Sequence, residues 1–157
     1  MREPTAAGPA VRRARPGDLR AVHELDETLF PRNSCPYFVF RQALDALPGF
    51  FLLGESNGRV AGYSLGSMQA GDEHGWVLSL GVAPEHRGRR LGRALTAELL
   101  RAFSERGARA AFLHVSPDNP GAIGLYGRLG FEEVRREPDC FGPGEDRLIM
   151  RCSLLPR

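Results

Sequence analysis

An apolar run, Trp76-Val-Leu-Ser-Leu80, feeds into Val82-Ala-Pro-Glu-His-Arg-Gly-Arg-Arg-Leu-Gly92, and that segment feeds into leucines at helical spacing. A strand that exits through a Gly/Arg loop into a helix commits the chain to layered α/β structure, because the helix must fold back over the sheet it left. The same junction gathers free backbone N–H groups at the positive end of a helix dipole, the setting that suits a phosphate or pyrophosphate. Gly88 permits close backbone approach to a ligand and Gly92 lets the helix lie near the sheet. Arg87, Arg89, Arg90 and Arg93 surround the loop with positive charge. The alternative reading is a solvated, arginine-rich helix start. A dinucleotide fingerprint needs an initial Gly-x-Gly pair, which this loop lacks.

The remaining pattern fills in the layers. Val11 to Arg15 reads as a short first strand, and Pro16-Gly-Asp18 starts a helix with Leu19, Val22, Leu25 and Leu29 on one face. A breaker-rich loop, Phe30 to Pro36, precedes a second helix over Tyr37 to Leu47. Asn57-Gly58 between the apolar runs 50–53 and 59–68 is a hairpin signal, since a type I′ turn needs positive φ at both positions. Glu73 to Val82 is the next strand. Leu91, Leu95, Leu99 and Phe103 then share a helix face that Gly107 closes. Ala110 to Val115 is a strand; Ala122, Leu125, Tyr126 and Leu129 share a further helix face. Phe131 to Arg136 and Arg147 to Leu154 pair around Gly142-Pro-Gly144. The order βααβββαβαββ predicts an α/β fold with a mixed central sheet of six to seven strands and four helices on its faces. It reads as a single domain over 1–157 with 1–9 as a loose tail.

Composition removes several function classes. The chain has 157 residues, enough for one sizeable core. All 21 basic residues are arginine, so a P-loop, which needs its phosphate-reaching lysine, is excluded. A net charge of +2 does not point to nucleic acid. The three cysteines, Cys35, Cys140 and Cys152, have no metal-ligand spacing, which predicts free thiols, no metal and a reducing cytoplasmic setting. No signal peptide and no apolar run of membrane-spanning length is legible.

A second block, Asn119-Pro-Gly-Ala-Ile-Gly-Leu-Tyr126-Gly-Arg-Leu-Gly-Phe131, places an N-cap residue seven positions ahead of a tyrosine. Taken alone, Tyr126 reads more readily as a half-buried core residue. Together the two blocks resemble the acetyl-CoA-binding core of the GNAT superfamily of N-acetyltransferases. Arg87-Gly-Arg-Arg-Leu-Gly92 resembles the family's [QR]-x-x-G-x-[GA] loop, and residues 119–131 match its N-x-x-A-x-x-L-Y-x-x-L-G-F block. Arg90 stands where the family has its central glycine. At a helix start, right-handed dihedrals suit any residue, so the loop is expected to keep its shape. The pattern is nearest to the ribosomal-protein N-terminal alanine acetyltransferases. Their strand residue twelve positions ahead of the tyrosine corresponds to His114, and their adjacent aromatic pair, which lines the peptide site, corresponds to Cys140-Phe141.

The resemblance implies acetyl-CoA as co-substrate and a primary amine as acceptor, either a protein N-terminus, a lysine or a small amine. It assigns Leu80, Gly81, Val82, Arg87, Gly88, Arg89, Arg90, Leu91, Gly92, Arg93, Asn119 and Tyr126 to the cofactor. It implies Tyr126 as general acid toward the leaving thiolate, and the Val82 N–H as the group that polarises the thioester carbonyl. His114 is the general base in this reading, with a water as the alternative, because Leu78 stands where many members carry a glutamate. His114 also reads as an ordinary hydrogen-bonded strand histidine. Phe30, Tyr37 and Phe38 are expected along one wall of the acceptor site, and Arg32 and Arg41 nearby. The competing reading is a non-catalytic acyl-CoA-binding protein. No membrane or nucleic-acid partner is expected, and a homodimer is compatible with the pattern.

Overall fold

Asn57 and Gly58 take φ of 51° and 74°, the left-handed pair that a two-residue hairpin demands. That turn joins β2 (Phe51–Ser56) to β3 (Arg59–Met68). The computed structural model describes residues 9–88 and 90–156. Most of the expected tail, and Arg89, fall outside them. The other strands are β1 (Ala10–Arg13), β4 (His74–Val82), β5 (Ala110–Val115), β6 (Glu132–Glu137) and β7 (Arg147–Ser153). The helices are α1 (Leu19–Leu29), α2 (Tyr37–Ala46), α3 (Leu91–Glu105) and α4 (Pro120–Arg128). The element order is the expected one, with seven strands in one mixed sheet ordered β1-β2-β3-β4-β5-β7-β6.

Alternation within the strands divides the side chains between two cores. On one face, Leu91, Leu95, Leu99 and Phe103 of α3 pack with Val77, Leu113, Met150 and Tyr126. On the other, Leu19 and Val22 of α1 and Phe40 and Ala43 of α2 pack with Leu53, Tyr63 and Leu65. Small residues let α3 approach: a Cβ at Gly75 would enter the Phe103 ring, and one at Gly66 would meet Phe103 and Leu99. α3 ends at Gly107 (φ 90°), where the Ala108 N–H reaches back to the Phe103 carbonyl at 3.1 Å, closing the helix as a Schellman-type cap does. The β6 edge carries Glu132, Glu133, Arg135 and Arg136, charges that discourage strand addition by another chain.

The feature that positions the site lies in the middle of the sheet. β4 and β5 run parallel and are paired only from His74↔Ala110 to Val77↔Leu113. β4 then stays with β3 as far as Gly62↔Val82, and β5 stays with β7 as far as Val115↔Leu148. A bulge sits where the strands part: Gly66 faces Val77 and Leu65 faces Ser79, leaving Leu78 as the extra residue. Bulges bend and twist the strand that carries them. The result is a V-shaped opening whose lips are Ser79–Val82 and His114–Val115.

Gly75→Ala tests how tightly α3 is seated. The added methyl overlaps Phe103, and overpacking of this kind costs about 1–3 kcal/mol. Denaturant titration should show the loss as a lower midpoint with an unchanged slope; an unchanged midpoint would mean that α3 shifts freely.

Candidate active site

Beyond the V, β4 leads through a short 3₁₀ turn, Pro84–His86, to the loop before α3. Gly88 takes φ 76° and Arg90 takes φ 63°, ψ 11°. The right-handed conformation expected for Arg90 is therefore wrong. Arg90 is the residue before the helix rather than its first turn, and a left-handed step there reverses the backbone into α3. For a residue with a Cβ that conformation costs about 1–2 kcal/mol.

No side chain caps α3. The first internal bond of the helix is the Ala94 N–H to the Arg90 carbonyl, at 3.0 Å. The N–H groups of Leu91, Gly92 and Arg93 thus have no partner within the helix, as its first-turn amides must. They point into a cleft of about 780 Å³, which is within the range for a small-molecule site. Leu80, Gly81, Val82, Arg87, Gly88, Arg90, Leu91, Gly92, Arg93 and Asn119 line it, and so do His86, Leu125 and Arg128. The last three were not assigned to the cofactor from the sequence, although His86 lies in the loop motif and Leu125 and Arg128 within the Asn119–Phe131 block. Leu29 and Phe30 close one side of this cleft. Tyr37 and Phe38 are exposed on α2, and Arg41 pairs with Asp45 at 3.2 Å.

Backbone polarity favours an extended guest in the V. The Ala83 N–H donates to the Ala61 carbonyl at 2.8 Å. Alternate residues of an antiparallel strand point their N–H and C=O groups to opposite sides. Leu80 and Val82 therefore direct theirs away from β3, toward the space that β5 has left. Asn119 accepts from the Ala122 N–H at 3.1 Å, so its side-chain oxygen caps α4 and only its NH₂ is free to donate to a ligand.

Tyr126 and His114 are not among the residues lining the cleft. They stand on opposite faces of the sheet beside it. Tyr126 is 7% exposed in the α3 and α4 core, its ring edge-on to Phe131 at 5.7 Å. Burial pushes its phenol up to about 12, so it holds its proton throughout the neutral range. Gly75 faces α3, so its neighbour Trp76 faces the other way. His114 stacks on Trp76 with ring centroids 5.0 Å apart and is therefore on the α1 side. Phe141 closes on His114 at 5.2 Å and carries Arg147 over its own ring at 4.3 Å. Burial lowers the pKa of His114 from the ordinary histidine value, Glu137 raises it, and Arg135 and Arg147 lower it. The net direction is down, which favours neutral imidazole.

Sequence reading missed a buried polar group beside the V. Asp26 and Tyr63 are 2% and 0% exposed. The Tyr63 hydroxyl donates to Asp26 Oδ1 and lies 2.8 Å from Ser79 Oγ, while Asp26 Oδ2 accepts the Cys35 N–H at 2.6 Å. A signal was present: Asp26 interrupts the apolar stripe of α1 between Val22 and Leu29.

Comparison with known proteins adds the following. The model of the acetyltransferase (GNAT) family matches residues 19–131. An N-alpha-acetyltransferase of Sulfurisphaera tokodaii is 29% identical over 155 residues, covering 92% of each chain. A mycothiol acetyltransferase of Streptomyces bingchenggensis is 42% identical over 84 residues, which are 54% of this chain and 27% of that protein. The crystal structure of a ribosomal-protein-alanine N-acetyltransferase from Brucella melitensis superposes with a TM-score of 0.78 at 25% identity, covering 92% of this chain and 99% of the other.

Arg90→Gly should remove the left-handed penalty. Part of the gain is offset by the extra freedom glycine has in the unfolded chain, leaving up to about 1 kcal/mol and a melting temperature higher by roughly 2–4 °C. An unchanged or lower melting temperature would mean that the arginine side chain makes good the strain.

Proposed function

The chain belongs to the GNAT acetyltransferase family, and on that premise we propose that it transfers an acetyl group directly from acetyl-CoA to the α-amino group of a polypeptide. The observation that carries this reading is the placement of Tyr126 and His114 on opposite faces of the sheet at one V-shaped opening. Acetyl-CoA supplies the activated thioester. The uncapped amides of Leu91, Gly92 and Arg93, with Gly88 and the side chains of Arg87 and Arg90, hold its pyrophosphate; Arg89 is assigned with them from its place in the motif. The Leu80 and Val82 backbone groups hold the pantetheine arm as an added strand would, and the Val82 N–H polarises the thioester carbonyl. Asn119 donates to the arm through its NH₂.

His114, or a water held near it, takes the proton that the amine loses as it attacks. An α-amino group titrates near 8, so a base is needed at neutral pH, and a histidine kept neutral by burial is in the right form. Tyr126 faces the departing sulfur from the other side. A phenol near 12 is a weaker acid than a thiol near 8.5 by about 3.5 units. Tyr126 therefore acts as a hydrogen-bond donor that stabilises the developing thiolate and keeps its own proton, while the thiolate is protonated by solvent after it leaves.

A polypeptide acceptor is supported by the likeness along 92% of an N-alpha-acetyltransferase, and the exposed Phe141 ring beside His114 offers such a chain an apolar contact. A small-amine acceptor is the second reading, supported by the local likeness to a mycothiol acetyltransferase and by Cys140 in place of one aromatic residue. A cytoplasmic location fits the three free thiols and the absence, among the described residues, of any helix long and apolar enough to cross a membrane.

A thiol-release assay with acetyl-CoA against peptides and small amines separates these readings; binding of CoA without turnover on any acceptor would leave a non-catalytic binder. Tyr126→Phe should lower kcat by about 10²-fold or more with little change in the KM for acetyl-CoA, because phenylalanine fills the same space beside Phe131. An unchanged kcat removes Tyr126 from the chemistry. In the pH–rate profile, activity should fall with decreasing pH through a limb below the ordinary histidine value of about 6.5. His114→Ala should abolish that limb; its persistence would assign the proton to water.

A further inference from the structure

We infer that Ser79 is the hydrogen-bond acceptor that seats the incoming amine, with Asp26 and Tyr63 as positioning residues acting through it. The inference rests on the acyl-transfer reading above and names the amine subsite of that site. It follows from counting protons along a buried chain. Asp26 has both oxygens committed, one to the Tyr63 hydroxyl and one to the Cys35 N–H. A phenol carries a single proton, and Tyr63 gives its own to Asp26. Toward Ser79, 2.8 Å away, the Tyr63 oxygen can therefore only accept, so the Ser79 O–H must point inward. A serine hydroxyl also has one proton. Once that proton is turned into the protein, Ser79 offers only lone pairs to whatever lies outside.

Ser79 is half-buried and stands at the lip of the V, just past the Leu78 bulge. Two residues further, roughly 6.6 Å along the strand, Gly81 faces the same side; a Cβ there would meet Tyr63 at 2.6 Å and Leu29 at 3.0 Å. Gly81, Leu29 and Phe30 all line the cleft. An amine or ammonium brings only N–H donors to this point, and a hydroxyl locked as an acceptor is its match. The charge of Asp26 behind two hydroxyls favours a positive guest. β4 has no carboxylate of its own here, since its bulge residue is Leu78. The chain instead reaches Asp26 on α1 through Tyr63. The same carboxylate holds the Cys35 amide and so ties the loop from Phe30 to Cys35 against the cleft.

A full water-to-core transfer of an ionised carboxylate costs several kcal/mol unless it is paired or hydrogen-bonded. An apolar residue at position 26, continuing the stripe of Val22 and Leu29, would avoid that cost. What Asp26 adds is a fixed direction for the Ser79 hydroxyl.

The test uses the full chain, a six-residue peptide with a free N-terminal alanine, and a conjugate of that peptide joined through an acetyl bridge to the sulfur of CoA. The conjugate keeps an N–H at the amine position. Ser79→Ala should raise the peptide KM about tenfold and leave the KM for acetyl-CoA within twofold. It should weaken the conjugate about tenfold while CoA alone binds as before. Ser79→Thr, which keeps the hydroxyl, should restore both. Asp26→Asn turns an NH₂ toward Tyr63, reverses every bond in the chain and makes Ser79 a donor outward, so it should raise the peptide KM as Ser79→Ala does at unchanged acetyl-CoA KM. If Ser79→Ala leaves both the peptide KM and the conjugate affinity unaltered, the assignment is overturned. Should Asp26→Asn not fold, the Ser79 pair decides. A wild-type chain that binds CoA and acetylates nothing would sink the acyl-transfer reading instead, and the conjugate comparison still decides the role of Ser79.

Discussion

Parallel strands that diverge leave backbone N–H and C=O groups facing a gap, and buried groups of that kind must find partners. β4 and β5 pair through Val77↔Leu113 and then separate, each held by its antiparallel neighbour on the outer side. The groups turned inward from Leu80 and Val82 are thereby offered to a ligand with amide functions of its own. The rest of the site is arranged around that gap. α3 begins at one end of it, α4 covers one face, and the α1 side presents the aromatic rings of Trp76 and His114.

The loop into α3 shows two demands in conflict. An anion site needs converging amides and also gains from positive charge. Convergence is obtained with left-handed steps at Gly88 and at Arg90, and a glycine meets that requirement without strain. At position 90 the chain has an arginine, which adds charge beside the proposed pyrophosphate site and strains the backbone. Strain of 1–3 kcal/mol per residue is sustained only where the surroundings fix it. Here the Leu91 side chain, 3% exposed beneath β2, pins the first residue of the helix.

What the sequence made legible is what neighbours along the chain decide. The Asn57-Gly58 hairpin, the helical stripes of α1 and α3 and the Asn119 cap are local, and the structure has each of them. The α3 stripe of Leu91, Leu95, Leu99 and Phe103 is the buried face of that helix. Within the site, the loop residues from Arg87 to Arg93 that are described, together with Leu80 to Val82 and Asn119, converge on one cleft. The conformation of Arg90 was not legible, because it depends on whether the helix starts one residue earlier or later, and helix boundaries are the least determined part of a pattern. Nor was the Asp26–Tyr63–Ser79 chain, whose members stand 37 and 16 residues apart and meet only when α1 lies across β3 and β4.

The separation of charge across the sheet follows from these placements. A net charge of +2 says little, because what matters is where the charges stand. The arginines of the loop and the dipole of α3 make the cofactor end of the cleft positive. On the opposite face of the sheet the carboxylate of Asp26 is buried behind two hydroxyls. In the proposed reading the anionic acetyl-CoA and the amine thus approach one opening from different sides. In the proposed reaction Tyr126, buried and protonated, serves the donor side. In the same proposal His114, on the opposite face of the sheet, serves the acceptor side, and burial shifts it toward the neutral form. Burial raises the pKa of one and lowers that of the other, so one physical cause favours the uncharged form of both, the form in which a phenol donates a hydrogen bond and an imidazole accepts a proton.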